Sequence, residues 1–540
     1  MIYDKNPQYP HYDHLPYAKE PWKSFYVFQR LFTTLALVPV WIVYYATIPR
    51  RYRPRSSWNL RQIVNVKFTR RIYKVTEVAG VTWGTRDPDV APDENSLKET
   101  RFQWVEPLPM EYRTGILDSG IPFKKVGCYI WPKRPHLDVQ KIRKPSPTHH
   151  LTSSSSLDLE SGTTQIPLIG IFMHGGGYCH MSAHEKSRTS RIPRNLVKKH
   201  ILQVVYSVEY RLLQHAPFPA VVQDAAAVYA HVLKEYGSKC KIILIGDSSG
   251  GNLVLSLARW IRDQGHLPLP HGLLLLSPSC DTSHALPETL SSHIPRPNKH
   301  TDYLVDTPEP RALLQRTFLG FKSERRLMEI VHSEYVSPCS PIVLKRWGHE
   351  TKQDPSGQYE EDFIRNVFRR LPTDLRTTRD PENLAPLPAP AVAAVALTAA
   401  TTASEVSLPV EALPDVYASA RAFDNPYHKS CESPKLFGDF PRSLIICGDA
   451  ERLVREVRSL VSAMKKDGVD LTVHWAPDAC HDPLMLSEFW WDRKVTDEIW
   501  REAYEWARGF QTERFEDKRR KLKHSDDDNA TTTKIESIDG

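Results

Sequence analysis

The sequence is poor in several features that would each have indicated a particular class of protein. Its eight cysteines in 540 residues show no disulfide-like spacing, so they do not identify an oxidising compartment. No internal repeat is visible, which argues against a repeat architecture. The net charge of +7 is modest and no aromatic-interleaved basic motif accompanies it, so nucleic acid is not an expected partner.

Candidate metal ligands are also scarce. Cys179, His180 and His184 lie close together, with a spacing that would suit a metal site. No second pair of such ligands occurs elsewhere in the sequence, although structural zinc sites usually draw on two pairs. We therefore expect no metal and no cofactor, and we interpret these three residues as part of a pocket wall or of the surface.

Two glycine-rich segments about seventy residues apart carry most of the functional information. The first is His174–Tyr178, with the sequence HGGGY, and the second is Gly246–Gly251, with the sequence GDSSGG. Each follows a β-branched, apolar run, at Leu168–Met173 and at Lys241–Ile245, that predicts a buried strand. Both segments are therefore predicted to lie where a strand ends and a turn begins.

Ser248 is the predicted nucleophile. A serine held between glycines on a strand-to-helix turn projects its hydroxyl above the sheet edge, because a larger neighbour would clash there. The helix predicted to begin near Gly251 directs its dipole at that point. The backbone N–H groups of Gly175, Gly176 and Ser249 are the predicted oxyanion donors, since consecutive glycines let the main chain approach a substrate carbonyl.

These two motifs, in this order, resemble those of the hormone-sensitive-lipase-like branch of the α/β-hydrolases. That family includes arylacetamide deacetylases, fungal steryl acetyl hydrolases and many carboxylesterases. Between the motifs, Tyr210–Leu212, Ala216–Ala220 and Asp224 look like the family's strand-4 exit and the helix leading to the serine turn. The resemblance covers about residues 125–280 and 440–500. It implies an α/β fold of the α/β-hydrolase type, with a mostly parallel central sheet flanked by helices, a cap or lid and long insertions.

The resemblance also implies a base and an acid, because in α/β-hydrolases the acid and then the histidine follow the serine along the chain. From Pro441 onward the pattern predicts a strand, an acidic loop, an amphipathic helix, a second strand and a loop with His481. We predict His481 as the base, because His474 lies inside the second strand. The family's D-P-L-x-D-E context, aligned without gaps, makes Glu451 the acid. Asp449, two residues earlier, is the alternative acid.

Two departures from the family's pattern bear on the predicted pocket. Ser249 stands where these sequences usually carry alanine, but its predicted role needs only its backbone N–H. Met181 stands near a position where glycine is usual, and we expect it to narrow the acyl side of the pocket.

The resemblance implies a serine carboxylic-ester hydrolase, of the carboxylesterase, lipase or deacetylase kind, that cleaves lipophilic acyl or acetyl esters through an acyl-enzyme. Amide cleavage of the arylacetamide type is an alternative that the sequence does not separate from ester cleavage. A non-catalytic ligand receptor on the same fold is a further alternative, since the gibberellin receptor resembles this family. Receptors of that kind lack the histidine, whereas His481 is present.

A second strong signal lies near the N-terminus. Leu31–Ile48 contains no charged residue, and its roughly 18 residues would span about 27 Å as a helix, just enough for a bilayer. Four arginines between Arg50 and Arg55 end it, and aromatic side chains flank it, as in membrane anchors. A single-pass transmembrane anchor is the expectation. A buried or interfacial helix is the alternative, because Pro39 lies in the middle.

The side of the membrane on which the chain lies is left open. Basic residues are more numerous after the apolar segment than before it, which places the remainder of the chain in the cytosol by the positive-inside rule. Resembling membrane-anchored deacetylases face the lumen of the endoplasmic reticulum, so the resemblance implies that membrane and the opposite side. The single sequon at Asn529 lies in a predicted tail and does not decide between them.

The length of 540 residues exceeds the roughly 300 that one α/β-hydrolase core needs, so insertions and tails are expected. We predict a tail at 1–25, a transmembrane or interfacial anchor at 26–48, a linker with possible cap elements at 49–125, a catalytic domain at 126–510 and a basic, then acidic, tail at 511–540. Within the catalytic domain we expect low-complexity insertions at about 133–165 and 373–424. A lid-like insertion is expected at about 283–440.

Overall fold

The structure is a computed structural model of the chain, and it describes residues 17–134, 166–305, 307–320, 322–349, 435–486 and 491–511. Elements are numbered in chain order within these ranges. Residues 1–16 and 512–540 of the predicted tails, and most of the predicted low-complexity insertions, including all of 373–424, lie outside the described residues.

A sheet of eight strands forms the centre of the described chain. In chain order the strands are β1 (Arg101–Val105), β2 (Val126–Trp131), β3 (Leu168–Met173), β4 (Val204–Glu209), β5 (Lys241–Asp247), β6 (Gly272–Leu276), β7 (Arg442–Gly448) and β8 (Leu471–Ala476). Their spatial order is β1-β2-β4-β3-β5-β6-β7-β8. β2 runs antiparallel to β1 and β4, and β3 to β8 are parallel to one another. This mostly parallel sheet confirms the predicted fold class.

Helices cover the sheet and precede it. In chain order they are α1 (Trp22–Thr47), α2 (Leu60–Ala79), α3 (Arg191–Lys198), α4 (Ala220–Tyr236), α5 (Ser249–Gln264), α6 (Leu290–His293), α7 (Pro308–Leu319), α8 (Glu324–Val331), α9 (Pro341–Arg346), α10 (Val454–Lys466) and α11 (493–511). One face of the sheet packs against α4, α5 and α10, and the other packs against α3 and α11.

The inner strands form because their sequences are apolar on both faces. Every residue of β3 and β4 is buried, as expected for strands that helices cover on both sides. Along β3 the side chains alternate, so that Ile169 and Ile171 join one hydrophobic cluster while Leu168 and Phe172 join the other. This alternation fixes which strand ends and loops face the site described below.

β1 corrects the predicted domain boundary. The segment 49–125 was expected to be linker and possible cap, whereas β1 is the first strand of the central sheet and pairs with β2, with Phe102 opposite Tyr129. β1 is an edge strand in which Val105 alone is fully buried, so it lacks the continuous apolar run that marks an inner strand. The helix after Ser248 also begins earlier than predicted, at Ser249.

The segment predicted as a lid-like insertion contributes four described helices, α6 to α9, between β6 and β7. At the other end of the chain, α1 and α2 pack against each other before the sheet begins. α2 starts with a capping box, in which Asn59 Oδ1 accepts the Gln62 amide at 3.0 Å and the Asn59 amide donates to Gln62 Oε1 at 2.9 Å. Among the described residues, α1 is the one helix long and apolar enough to cross a membrane.

Candidate active site

Ser248 lies on a sharp turn between β5 and α5. Its φ of 54° and ψ of −118° are unfavourable for a residue that carries a side chain. A Cβ on Gly246 would lie 2.3 Å from the carbonyl oxygen of Gly250, and a Cβ on Gly250 would lie 2.0 Å from that of Met173. Close backbone contacts therefore require both glycines, and the turn they allow presents the Ser248 hydroxyl at the sheet edge.

His481 and Glu451 come to Ser248 from two different loops, after β8 and after β7 respectively. The His481 Nε2 atom is 2.9 Å from the Ser248 Oγ atom, and His481 Nδ1 is 3.2 Å from Glu451 Oε2. Glu451 is fully buried and His481 is 3 % exposed. The three side chains form one hydrogen-bonded series, in which His481 can accept the Ser248 proton while Glu451 orients the ring.

Asp449, the alternative acid, faces away from His481. Its Oδ1 atom pairs with Arg55 Nη1 at 3.0 Å and accepts the Asp478 amide at 2.8 Å. The side chain is 38 % exposed, whereas Glu451 is enclosed. The structure thus brings Glu451, and not Asp449, into hydrogen-bonding contact with the imidazole of His481, and the Asp449 carboxylate instead contacts the loop after β8 at the Asp478 amide.

The surroundings of His481 change its pKa in opposing directions. Burial lowers the pKa of His481 because it disfavours the charged ring, while the hydrogen bond that His481 donates to Glu451 and the negative charges of Glu451, Asp302 and Asp482 raise it. The net result is a pKa above the ordinary value for histidine. The site therefore stabilises the imidazolium that His481 becomes after it accepts a proton.

The oxyanion prediction needs a correction at Gly175. The Gly175 N–H donates to Asp247 Oδ1 over 2.8 Å, so it is not available to a substrate oxygen. The amides of Gly176, Gly177 and Ser249 have no hydrogen-bond partner among the described residues, and all three residues line the candidate pocket. The geometry therefore favours these three as the donors, one residue further along the first motif than predicted.

Several contacts hold the first glycine-rich motif in place. Gly176 and Gly177 have φ values of 118° and 62°, which favour glycine. The His174 ring stacks on Tyr210 with 4.4 Å between ring centroids, and burial lowers the pKa of His174 to about 4. The Tyr178 amide donates to Ser249 Oγ over 3.4 Å. The hydroxyl that replaces the family's usual alanine thus links the two motifs.

Asp302, in the segment predicted as a lid, is a site residue that the sequence analysis missed. Its fully buried carboxylate accepts the Arg452 amide at 2.7 Å through Oδ2, and the His481 amide at 3.3 Å through Oδ1. Arg452 directly follows Glu451, so one carboxylate ties the acid loop to the histidine loop. No local sequence signal marks Asp302, because its partners lie about 150 and 180 residues away.

We expect Asp302→Asn to lower kcat by about 10- to 100-fold. The side-chain amide nitrogen of the asparagine would face one of the backbone amides that the carboxylate now accepts, and the acid and histidine loops would be held less firmly. Removing the negative charge should also lower the pKa of His481, so the acid limb of kcat/KM should move to lower pH. Initial rates across a pH series measure both effects.

Asp467→Asn is the matched control for Asp302→Asn. Asp467 is another buried carboxylate that accepts a backbone amide, that of Phe437, at 2.7 Å, but it lies far from Ser248 in the fold. Loss of the Asp467 carboxylate should lower the melting temperature and leave the acid limb of the kcat/KM profile at the same pH. An Asp302→Asn variant with an unmoved acid limb and an unchanged kcat would show that Asp302 does not position His481.

A pocket opens in front of Ser248 and His481. Beside the two motifs, residues of α2, of the loop before α7 and of α7 itself line its wall; they are Tyr73, Thr76, Glu77, Tyr303, Leu304, Val305, Arg311, Leu314, Gln315 and Phe318. Met181 lines it too, with a φ of 67°, a left-handed conformation that glycine would adopt more easily.

The three residues with metal-like spacing have other contacts. Cys179 Sγ donates to the Gly176 carbonyl at 3.4 Å, His180 Nδ1 accepts the Trp83 amide at 3.1 Å, and His184 Nδ1 accepts the Lys186 amide at 3.1 Å. Cys179 and His180 form part of the pocket wall. Within the described ranges no cluster of three or more His, Cys, Asp or Glu side chains could hold a metal ion.

Known proteins resemble this chain over its central part. The pattern of a protein family described as an alpha/beta hydrolase fold matches residues 170–363. An acetyl-hydrolase of Streptomyces hygroscopicus is 27% identical over 195 residues, which are 36% of this chain and 61% of that protein. Steryl acetyl hydrolase 1 of Saccharomyces cerevisiae is 28% identical over 109 residues, 20% of this chain and 26% of that protein.

Arylacetamide deacetylase-like 2 of Homo sapiens is 31% identical over 103 residues, 18% of this chain and 25% of that protein. The chain spans about half to three fifths of the length of the first curated relatives that it matches. The names of these relatives agree with the resemblance drawn from the two motifs. The sheet order and the family match agree on an α/β-hydrolase fold, and over its central part the chain is similar to an acetyl-hydrolase and an esterase.

Proposed function

We propose that the protein is a serine hydrolase that cleaves carboxylic esters through an acyl-enzyme, with Ser248 as nucleophile, His481 as base and Glu451 as acid. The observation that carries the proposal is the hydrogen-bonded series from Ser248 Oγ to His481 Nε2, at 2.9 Å, and from His481 Nδ1 to Glu451, at 3.2 Å. Similarity to acetyl-hydrolases and esterases supports the same reaction.

In the first half of the reaction, Ser248 Oγ attacks the ester carbonyl carbon while His481 Nε2 takes the hydroxyl proton. The carbonyl π electrons move to oxygen, where the amides of Gly176, Gly177 and Ser249 stabilise the negative charge. When the tetrahedral intermediate collapses, the alkoxide leaves with the proton from His481 as an alcohol. In the second half, water attacks the acyl carbonyl carbon and gives a proton to His481 Nε2. Collapse of the second tetrahedral intermediate breaks the bond between the acyl carbon and Ser248 Oγ, which takes that proton back from His481, and the carboxylic acid is released.

The substrates we propose are lipophilic acyl or acetyl esters. Apolar side chains from the segment after β6, such as Leu304, Leu314 and Phe318, contribute to the pocket wall in front of Ser248. The apolar helix α1 fits a membrane-associated enzyme, which would meet such esters in a bilayer. Location in the endoplasmic reticulum stays a prediction from the resemblance, and the side of the membrane stays open. The domain limits given above also stay predictions, except that β1 places part of 49–125 in the central sheet.

Ester cleavage has more support than either alternative function. Amide cleavage would use the same residues, but the first relatives are named for acetyl groups and esters. A non-catalytic receptor would not need a histidine in hydrogen-bonding contact with the serine, and His481 makes that contact.

A panel of p-nitrophenyl esters and the matched p-nitroanilides tests the proposed function. We expect the purified full chain to hydrolyse the acetate and butyrate esters, and to act more slowly on the anilides of the same acids. Faster cleavage of the anilides would favour the amidase alternative. Tight binding of an ester analogue without turnover of any ester would favour the receptor.

The pH dependence of ester hydrolysis follows from the raised pKa of His481. The base must be neutral to accept the Ser248 proton, so activity is lost as the pH falls through the pKa of His481. Because that pKa lies above its ordinary value, we expect the acid limb of the pH profile, where kcat/KM for p-nitrophenyl butyrate falls, to have its midpoint above about pH 6.5. An acid limb well below that pH would contradict the assigned environment of His481.

A further inference from the structure

The outward face of α1 is a long apolar surface with nothing against it in the described chain. Exposed large apolar side chains occur along the whole helix; they are Trp22, Phe25, Phe28, Leu31, Phe32, Leu35, Val40, Ile42, Val43 and Tyr44. Phe28 is 72% exposed and Phe32 is 65% exposed. A surface of this size, about 39 Å long at 1.5 Å per residue, marks an interaction site in a soluble or peripheral protein.

The inward face of α1 packs along α2, and the two helices run antiparallel. Near the start of α1, the Tyr17 amide donates to the carbonyl of Val78, at the end of α2. In the middle, Arg71 Nε donates to the buried Thr34 hydroxyl at 3.1 Å. Further along, Lys67 Nζ lies 5.2 Å from the centre of the Tyr45 ring. Two charged side chains of α2, those of Arg71 and Lys67, are therefore held against the middle and the second half of α1.

α2 in turn packs on the catalytic domain. Arg70 donates to the backbone carbonyl of Asp302 at 2.8 Å, and Ile63 and Val66 join a buried cluster with Met485 and Trp491. Just before α2, Trp58 Nε1 donates to the Asp478 carbonyl at 2.9 Å. α1 is thus fixed lengthwise along the domain surface, with α2 between it and the pocket.

This arrangement does not suit a helix that crosses a bilayer. If α1 spanned the hydrocarbon, the Arg71 and Lys67 side chains beside it would lie at the same depth, where charges are strongly disfavoured. The surface of the catalytic domain against which α2 packs would enter the lipid together with the Arg71 and Lys67 side chains. An orientation in the plane of the membrane keeps these charges on the protein side of α1 and places the exposed side chains in lipid.

We propose that α1 is a monotopic anchor: it lies in the plane of a membrane surface and buries its outward face among the lipid acyl chains. The charge around α1 favours lipid over a second copy of the chain. From residue 17 to 61 the one acidic residue is Glu20. Apart from Arg55, which pairs with Asp449 and Asp478, the basic residues are Lys19, Lys23, Arg30, Arg50, Arg51, Arg53 and Arg61. Two such faces would repel each other, whereas anionic headgroups complement them.

Flotation of the full chain with vesicles tests the anchor. We expect binding to phosphatidylcholine vesicles, stronger binding when phosphatidylserine is included, and a loss of at least about 100-fold in partitioning for Phe28→Asp/Phe32→Asp, since two buried phenylalanines are removed from lipid. Met110→Asp is the matched control, because Met110 is 79% exposed outside α1. A concentration-dependent dimer without vesicle binding would overturn the proposal in favour of a second copy.

Cysteine labelling in sealed vesicles separates an in-plane helix from a spanning one. Lys19 and Tyr52 lie just outside the two ends of α1 and are exposed. The Lys19→Cys and Tyr52→Cys variants are each treated with a membrane-impermeant maleimide, and the unsubstituted chain gives the background labelling. If α1 lies in the plane of the membrane, both cysteines should be labelled to the same extent before the vesicles are permeabilised. Labelling of one position before permeabilisation, and of the other only after it, would show that α1 spans the membrane.

A consequence for substrate entry rests on the proposed function. Tyr73, Thr76 and Glu77 of α2 line the pocket of Ser248, so the in-plane anchor places the bilayer one helix away from the pocket wall. We expect Phe28→Asp/Phe32→Asp to lower hydrolysis of vesicle-dissolved esters about tenfold or more and to leave p-nitrophenyl butyrate hydrolysis in solution unchanged. Equal rates on the vesicle esters would overturn this consequence. An unsubstituted chain that cleaves no ester would overturn the proposed function and leave the flotation result valid.

Discussion

The Ser248→Ala variant should lose hydrolysis of p-nitrophenyl butyrate by about 10⁴- to 10⁶-fold in kcat, because nucleophile, base and acid act as one unit. No covalent acyl-enzyme can form without the Ser248 hydroxyl, and water would have to attack the ester directly. Residual catalysis would come from binding and from the amides of Gly176, Gly177 and Ser249. Steady-state kinetics of the purified variant measure the loss.

Folding should survive this substitution, since alanine removes one oxygen from a half-buried side chain. An unchanged melting temperature and far-ultraviolet circular dichroism spectrum would separate lost chemistry from lost structure. Ser249→Ala is the comparison variant: it keeps the Ser249 amide and removes the hydroxyl that accepts from Tyr178, so we expect its kcat to fall by no more than about tenfold. A Ser248→Ala enzyme with ordinary turnover would refute the assignment of the nucleophile.

The second large effect is expected at the acid. Glu451→Gln should lower kcat by about 10²- to 10⁴-fold, because an amide can favour the wrong tautomer of His481 and does not stabilise the imidazolium. Loss of the negative charge should also lower the pKa of His481, so the acid limb of the pH–rate profile should move to lower pH. The same kinetic assay, run across pH, reports both changes.

Asp449→Asn is the matched control for the acid. Asp449 precedes Glu451 by two residues in the same loop, but its carboxylate contacts Arg55 and the Asp478 amide and not His481. We expect its kcat to change by less than about tenfold and its acid limb to stay in place. A larger loss in Asp449→Asn than in Glu451→Gln would transfer the role of acid to Asp449.

The parts of the fold that could be predicted from the sequence are those determined by residues close to one another along the chain. β3 and β5 are continuous apolar runs, and the glycines beside Ser248 are required by backbone contacts within the same turn and with the neighbouring strand. The loop of His481 follows a strand with a clear pattern. The edge strand β1 has no continuous apolar run, and four of its five residues are only partly buried.

The parts that could not be predicted depend on contacts between distant residues. Whether the Gly175 amide is free is decided by Asp247, whose carboxylate accepts it from 72 residues away. Asp302 lies in a segment with no motif, and its role appears only where the acid and histidine loops meet it. For α1, the apolar run predicts contact with lipid, but its orientation depends on how α2 packs against the domain.

Reaction of the full chain with a fluorophosphonate, followed by peptide mapping of the adduct, tests whether Ser248 is the nucleophile of a serine hydrolase. We expect one adduct per active chain, on the peptide that contains Ser248, with loss of esterase activity in proportion to labelling. We also expect that Ser248→Ala is not labelled. An adduct on a different residue, or full esterase activity in a chain that resists the reagent, would contradict this assignment.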